Sequence, residues 1–153
     1  MKTRRQFVRE MSGGFAVAAL TTASDNRTQA ANVQESAKKI RIGIIGAETS
    51  HTVGYGQMFN RDWKFPGCEV VGVWGETDEF AKNAAAKGQI PWIVKDPAEF
   101  KGRIDALIAD HRHAKYHLEA AWPFVEAGIP TFIDKPFCYR VSERDRYYKG
   151  RKL

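Results

Sequence analysis

A single α/β domain built on a doubly wound parallel sheet is the fold this sequence predicts, and three observations point to it. From Lys39 onward, apolar β-branched runs alternate with helix signals. The runs are nearly continuous in apolar residues, as expected of strands buried on both faces. The 153 residues are length for one such domain and not two.

The elements follow in order. KIRIGII (Lys39 to Ile45) is β-branched and apolar and runs into Gly46, predicting a buried strand closed by a tight turn. A helix is expected from about Ser50 to Asn60, and EVVGVW (Glu69 to Trp74) is a second buried strand. Thr77 then offers an N-cap hydroxyl, Asp78 and Glu79 suit the positive end of a helix, FAKNAAAK continues it, and Gly88 is read as its stop. Asp96, Pro97 and Glu99 make a capping-box-like start with proline at the first helical position, so a short helix is expected there. IDALIA (Ile104 to Ala109) is a further apolar strand. Lys115 to Ala127 reads as a helix stopped by Gly128, with Pro123 predicting a kink or a late start. TFID (Thr131 to Asp134) supplies the last strand. Four or five parallel strands joined by helices imply right-handed crossovers, and ligands of such sheets bind at the carboxyl ends of the strands.

The net charge of +6 comes from the two ends of the chain. Residues 1 to 30 carry five basic and two acidic side chains, residues 139 to 153 carry six and two, and the stretch between carries 13 and 14. A nucleic-acid binder spreads Lys and Arg over a folded face, so that class of partner is excluded. With 43% hydrophobic residues the chain can bury a core, while no 18-residue apolar run is present to span a bilayer. Cys68 and Cys138, the two cysteines, lack metal-ligand spacing and are too few for a disulfide scaffold.

Residues 1 to 30 read as a signal peptide: a charged front, the short apolar GGFAVAALTTA, then small residues before a cleavage point at Ala30, with Ala23 second. Arg4 and Arg5, with Phe7 close behind, resemble the twin-arginine signal, which implies export in folded form to the periplasm. A basic presequence or arm is the other reading of this stretch.

Chemistry is sought at the strand ends. Gly46, Ala47, Glu48, Thr49, Ser50 and His51 occupy the place of a GxGxxG fingerprint, but only the first glycine is kept. A carboxylate at position 48 would crowd and repel a pyrophosphate. Thr49 and Ser50 can cap the helix and donate hydroxyls to a phosphate, and His51 adds a donor. The loop is therefore either a dinucleotide site or a plain strand-to-helix turn. Glu76, at the end of the second strand, can accept hydrogen bonds from an adenosine ribose and disfavours a 2′-phosphate, which favours NAD over NADP; otherwise it is a solvated helix start.

His113 and His117 are four apart in DHRHAKYH and would share a helix face, yet no third ligand stands at a characteristic spacing, so no metal site is read. Asp134, Lys135 and Pro136 bring a lysine, flanked by a carboxylate and fixed by proline, to the sheet's carboxyl edge. Lys135 is either an ammonium placed to polarise or protonate an oxygen or an exposed loop lysine.

This ordering resembles the Gfo/Idh/MocA family, named for glucose-fructose oxidoreductase and inositol dehydrogenase. The features that carry it are KIRIGIIG, an acidic second strand end, a histidine at the fourth helix and AGIPTFIDKP. It covers about Lys39 to Ser142, and Asp134, Lys135 and Pro136 match the family's Glu-Lys-Pro motif with Asp in place of Glu. The resemblance implies a Rossmann-like domain over residues 31 to 138. It implies a cofactor held by Gly46, Thr49, Ser50, His51, Glu76, His117, Asp134 and Lys135, with Lys135 catalytic beside the nicotinamide and a sugar or polyol substrate. Some family members are periplasmic twin-arginine substrates. The resemblance also implies a second, substrate-binding domain after the motif, for which no counterpart is read in these residues. Residues 139 to 153 read as a basic tail: Ser142 is a plausible cap, but RDRYYKGRKL loses helical apolar periodicity, consistent with a truncation or a short surface tail. Surfaces normally covered by the second domain would favour self-association. Two functions follow: the nucleotide-binding domain of an NAD(P)-dependent oxidoreductase, inactive alone, or a non-catalytic Rossmann-like module that no longer holds a nucleotide.

Overall fold

Ile40–Ile45 forms strand β1 in the computed structural model, which describes residues 38–150. The signal-peptide reading of residues 1 to 30 and the last three residues of the chain lie outside the described residues. Ile42, Ile44 and Ile45 are all buried, so both faces of β1 are covered, as its unbroken apolar run requires. Strands β2 (Cys68–Trp74) and β4 (Ala106–Ala109) flank it. Outside them lie β3 (Trp92–Val94) and β5 (Thr131–Ile133), giving an all-parallel sheet of order β3-β2-β1-β4-β5. The sheet is the doubly wound one expected. Strand order reverses between β1 and β4, and the carboxyl ends open a crevice there.

One face of the sheet is covered by α1 (Ser50–Gly56), which runs on as a π-helical turn over Gln57–Arg61, and by α2 (Asp78–Gly88). Val70, Val73, Ile44, Ala84 and Ile90 form the core between them. On the other face, Ile45, Phe100, Ile104, Leu107 and Phe124 pack together. Each large side chain fully removed from water contributes about 1.5–3 kcal/mol.

Thr77 caps α2 as predicted, accepting from the Phe80 amide at 3.2 Å. The helix ends at Gly88 as expected, but glycine is not its left-handed cap. The left-handed residue is Gln89 (φ 54°), and Gly88 is small because α1 crosses there: a Cβ on Gly56 would lie 2.6 Å from the Gly88 Cα. The capping box at Asp96 is complete, but the helix it starts is a single 3-10 turn, Pro97–Phe100. Pro123 does not delay the helix, which begins six residues before it and runs on through it. A 3-10 turn (Ala114–Tyr116) leads into α3 (His117–Glu126), which keeps Pro123 on its exposed side, and Gly128 follows with φ 75°.

The segment after the last strand departs from expectation. Helix α4 (Val141–Gly150) continues through Arg144, where periodicity was expected to fail. Its cap bonds come from Glu143, whose carboxylate accepts from the Tyr139 and Arg140 amides, and not from Ser142. One buried ring, Tyr147, anchors it against Trp122 and Phe137. Strand β3 was missed because three residues after a proline carry too little pattern to read. Among the described residues, no helix is long and apolar enough to cross a membrane.

Candidate functional site

Beyond the regular strands the ladder continues by one residue. The Asp110 amide donates to the Ile45 carbonyl (2.8 Å) and the Asp134 amide to the Ala109 carbonyl (3.0 Å). An aspartate therefore stands at the carboxyl end of β4 and another at that of β5. Gly46, after β1, has φ 109°, a region that disfavours side chains, and a Cβ there would lie 2.5 Å from the Asp110 carbonyl carbon. Both the turn and the contact with β4 require glycine.

Thr49 caps α1, its hydroxyl accepting from the His51 amide at 3.2 Å and donating to Asp110 Oδ2 at 2.8 Å. Its one proton is thus committed to Asp110 and not offered to a phosphate. Thr52 Oγ1 lies 2.6 Å from the same Asp110 oxygen and 2.9 Å from the Gly46 carbonyl. One hydroxyl proton serves one of these acceptors, so a proton on Asp110 lets both contacts be hydrogen bonds. Burial pushes the Asp110 carboxyl up to about 6, against the pull of the Thr52 and Thr49 hydroxyls and with the help of nearby Asp134.

Burial also pushes Asp134 upward, yet the His51 ring and the Lys135 amide, both donating to it, hold its carboxyl below the ordinary aspartate range. His51 Nδ1 lies 2.5 Å from Asp134 Oδ2 and 3.9 Å from Asp110 Oδ1. Tyr55 stands against the same group. Burial first, then the charges of Asp134 and Asp110, raises its hydroxyl to about 12.

At the end of β2, Glu76 Oε2 accepts from the amides of Ala47 (2.8 Å) and Glu48 (3.1 Å), while its Oε1 is buried without a hydrogen-bond partner. The Glu48 carboxylate is paired with the exposed Arg112 guanidinium at 3.0 Å. Next to this loop His111 packs on Trp74 and Tyr116, and burial lowers its pKa although Glu76 opposes that.

His117 is enclosed by main-chain partners. It is 0% exposed, with Nδ1 2.9 Å from the Pro136 carbonyl and Nε2 2.7 Å from the His111 carbonyl. Carbonyls only accept, so a neutral ring donates to one of them at a time. The residue braces the loop after β4 against the loop after β5. Lys135 is exposed, as is Ser50, and the Lys135–Pro136 peptide is cis.

The structure thus gathers Thr49, His51 and Asp134 about Asp110, and sets Gly46 beside Glu76. Asp110, Thr52, Tyr55 and Arg112 were missed. A signal for Asp110 existed, since IDALIAD ends as TFID does, in an apolar run followed by aspartate. A cavity of about 520 Å³ between α3 and α4 is lined by Lys115, Trp122 and Tyr147 among others, with no strand-end residue in its wall.

A five-stranded parallel sheet with its chemistry-bearing side chains at the β1, β2, β4 and β5 ends defines a Rossmann-type domain. The chain belongs to the Gfo/Idh/MocA oxidoreductase family, NAD-binding Rossmann fold, whose family profile matches residues 40–150. Among curated proteins none matches the chain in sequence. Solved structures share the fold. Myo-inositol dehydrogenase from Lactobacillus casei, in complex with NAD(H) and myo-inositol, has TM-score 0.63 at 18% identity over 72% of this chain and 32% of that one. UDP-N-acetylglucosamine 3-dehydrogenase from Acidithiobacillus ferrooxidans has TM-score 0.60 at 22% identity over 72% and 34%. A probable dehydrogenase from Thermotoga maritima has TM-score 0.61 at 19% identity over 72% and 32%. The chain spans about a third of the length of these structures.

The residues present fit the adenosine end of a dinucleotide. Glu76 leaves one carboxylate oxygen without a hydrogen-bond partner, an acceptor of the kind a ribose diol uses, and Arg112 neutralises the carboxylate that replaces the second glycine.

Proposed function

We propose that this chain is the cofactor-binding part of an NAD-dependent oxidoreductase acting on a hydroxyl group of a sugar or polyol. The observation that carries the reading is Glu76, a carboxylate at the β2 end with one oxygen fixed by two loop amides and the other lacking a donor. A ribose diol supplies that donor, whereas a 2′-phosphate would meet a fixed negative charge, so NAD is favoured over NADP. NAD, when bound, supplies the hydride acceptor. Lys135, exposed beside Asp134 at the sheet's carboxyl edge, is the group to hold or protonate a substrate oxygen. The neighbours' sugar-nucleotide and inositol substrates support this substrate class. Arg4 and Arg5 support export in folded form to the periplasm, and replacing both with Lys should retain the precursor in the cytoplasm.

One observation favours a second reading, a Rossmann-like module without nucleotide: the Ala47 and Glu48 amides, the Thr49 proton and the His51 ring are all engaged within the protein. Titration of the chain with NADH and NADPH, followed by nicotinamide fluorescence, separates the two. Saturable binding with NADH preferred supports the first reading, and Glu48→Gly, which frees Arg112 for a phosphate, should tighten it. No binding by either protein would leave the second.

A further inference from the structure

Two carboxylates, those of Asp110 and Asp134, are buried beside the His51 imidazole at the crevice, and the ribose contact proposed for Glu76 does not involve them. Asp110 is 0% and Asp134 7% exposed, and a donor atom from each lies within 4.8 Å of one from His51. The three come from different elements, His51 from the first turn of α1, Asp110 from the end of β4 and Asp134 from the end of β5. We propose that His51, Asp110 and Asp134 form a binding site for one divalent transition-metal ion, taken through an imidazole nitrogen and two carboxylate oxygens.

The second, independent observation is the unused oxygen of Asp110. Its Oδ2 is fixed by the Thr49 and Thr52 hydroxyls, while Oδ1, 3.9 Å from His51 Nδ1, is buried without any hydrogen-bond partner. A carboxylate oriented through one oxygen with the other left open is how supporting hydrogen bonds present a metal ligand. Charge points the same way: two buried carboxylates against one imidazole leave a negative site that a divalent ion neutralises. Imidazole with two carboxylates selects ions such as Zn²⁺, Mn²⁺, Fe²⁺ or Co²⁺ over Mg²⁺ and Ca²⁺, which take oxygen alone.

Access and reach are adequate. A cavity of about 410 Å³, lined by His51, Tyr55, Gln57, Met58 and Asp134 among others, opens on two of the three ligands and leaves room for water or a hydroxyl on the ion. Donors about 2.1 Å from a common ion stand roughly 3 to 4.2 Å apart, so the ion replaces the direct His51–Asp134 hydrogen bond and parts that pair slightly. The His51 side chain, 39% exposed, is free to make that move.

The test uses the whole chain, stripped with EDTA and titrated with Co²⁺ by visible absorption and with Zn²⁺ by calorimetry. One ion per chain is expected. His51→Ala and Asp110→Asn should each weaken uptake by about tenfold or more with the circular dichroism spectrum retained. His113→Ala, outside the cluster, should bind as the parent does. Should Asp110→Asn fail to fold, His51→Ala, a change at a half-exposed position, decides alone. Absence of uptake up to about 1 mM ion, uptake by His51→Ala equal to the parent's, or loss with His113→Ala would overturn the site.

Discussion

The carboxylate of Glu76 sits on the backbone amide of Ala47, Oε2 to nitrogen 2.8 Å, and so ties the end of β2 to the turn that leaves β1. The same oxygen takes the Glu48 amide, so one side chain replaces the compact packing that further glycines would give this loop. Losing these bonds strands two loop amides. Glu76→Ala should destabilise the fold by about 1–3 kcal/mol, as for hydrogen bonds to a charged group, and should weaken NADH more than NADPH. Urea unfolding and paired cofactor titrations check the two effects, and equal weakening of both cofactors would remove Glu76 from the ribose contact.

The two glycines near the loop should respond with opposite signs. Gly46→Ala forces a Cβ into left-handed backbone and onto the Asp110 carbonyl, which should cost about 2 kcal/mol or more and displace Asp110. Gly54 lies within α1 with open space around a Cβ, so Gly54→Ala should stabilise by about 0.5–1 kcal/mol. Chemical denaturation of the two variants beside the parent reads both signs at once.

Acid stability should depend on Asp105. Arg41 holds it through Nε (2.9 Å), Nη2 (3.0 Å) and its own amide (3.0 Å), and these bonds, the Arg41 side chain's first, keep the Asp105 carboxyl well below the ordinary range. A carboxyl lowered on folding contributes stability above its unfolded pKa of about 3.9, lost as pH falls through the lower folded value. Asp105→Asn should therefore reduce the urea midpoint at neutral pH and flatten its decline below about pH 4. A pair this exposed contributes little, so the change of slope is the readout, not its size.

Strands and site were legible to different degrees for physical reasons. β1, β2 and β4 carry apolar runs that only a doubly covered sheet explains, and Thr77 and Asp96 announce their caps by side-chain type. The helix end at Gly88 was legible but the reason for its glycine was not, because its partner in the helix crossing, Gly56, lies 32 residues away. The strand-end rule located Glu76, Asp134 and Lys135. It gave no direction for Thr49 and His51, whose hydrogen bonds run to aspartates 61 and 83 residues on in the chain.

His117 shows the same limit and gives the last test. Its position in the sequence suggested a cofactor contact, but its ring acceptors are main-chain carbonyls, invisible in any pattern of side chains. If it is a brace, His117→Leu removes the one donor that the His111 and Pro136 carbonyls share and should cost about 1–3 kcal/mol. His117→Gln keeps a donor group and should recover part of that loss. NADH affinity, measured where each variant is fully folded, should change by less than threefold, because the ring touches neither the Gly46 loop nor Glu76. A variant of unchanged stability with strongly weakened NADH would return His117 to the cofactor, and the two loops would then need another tie between them.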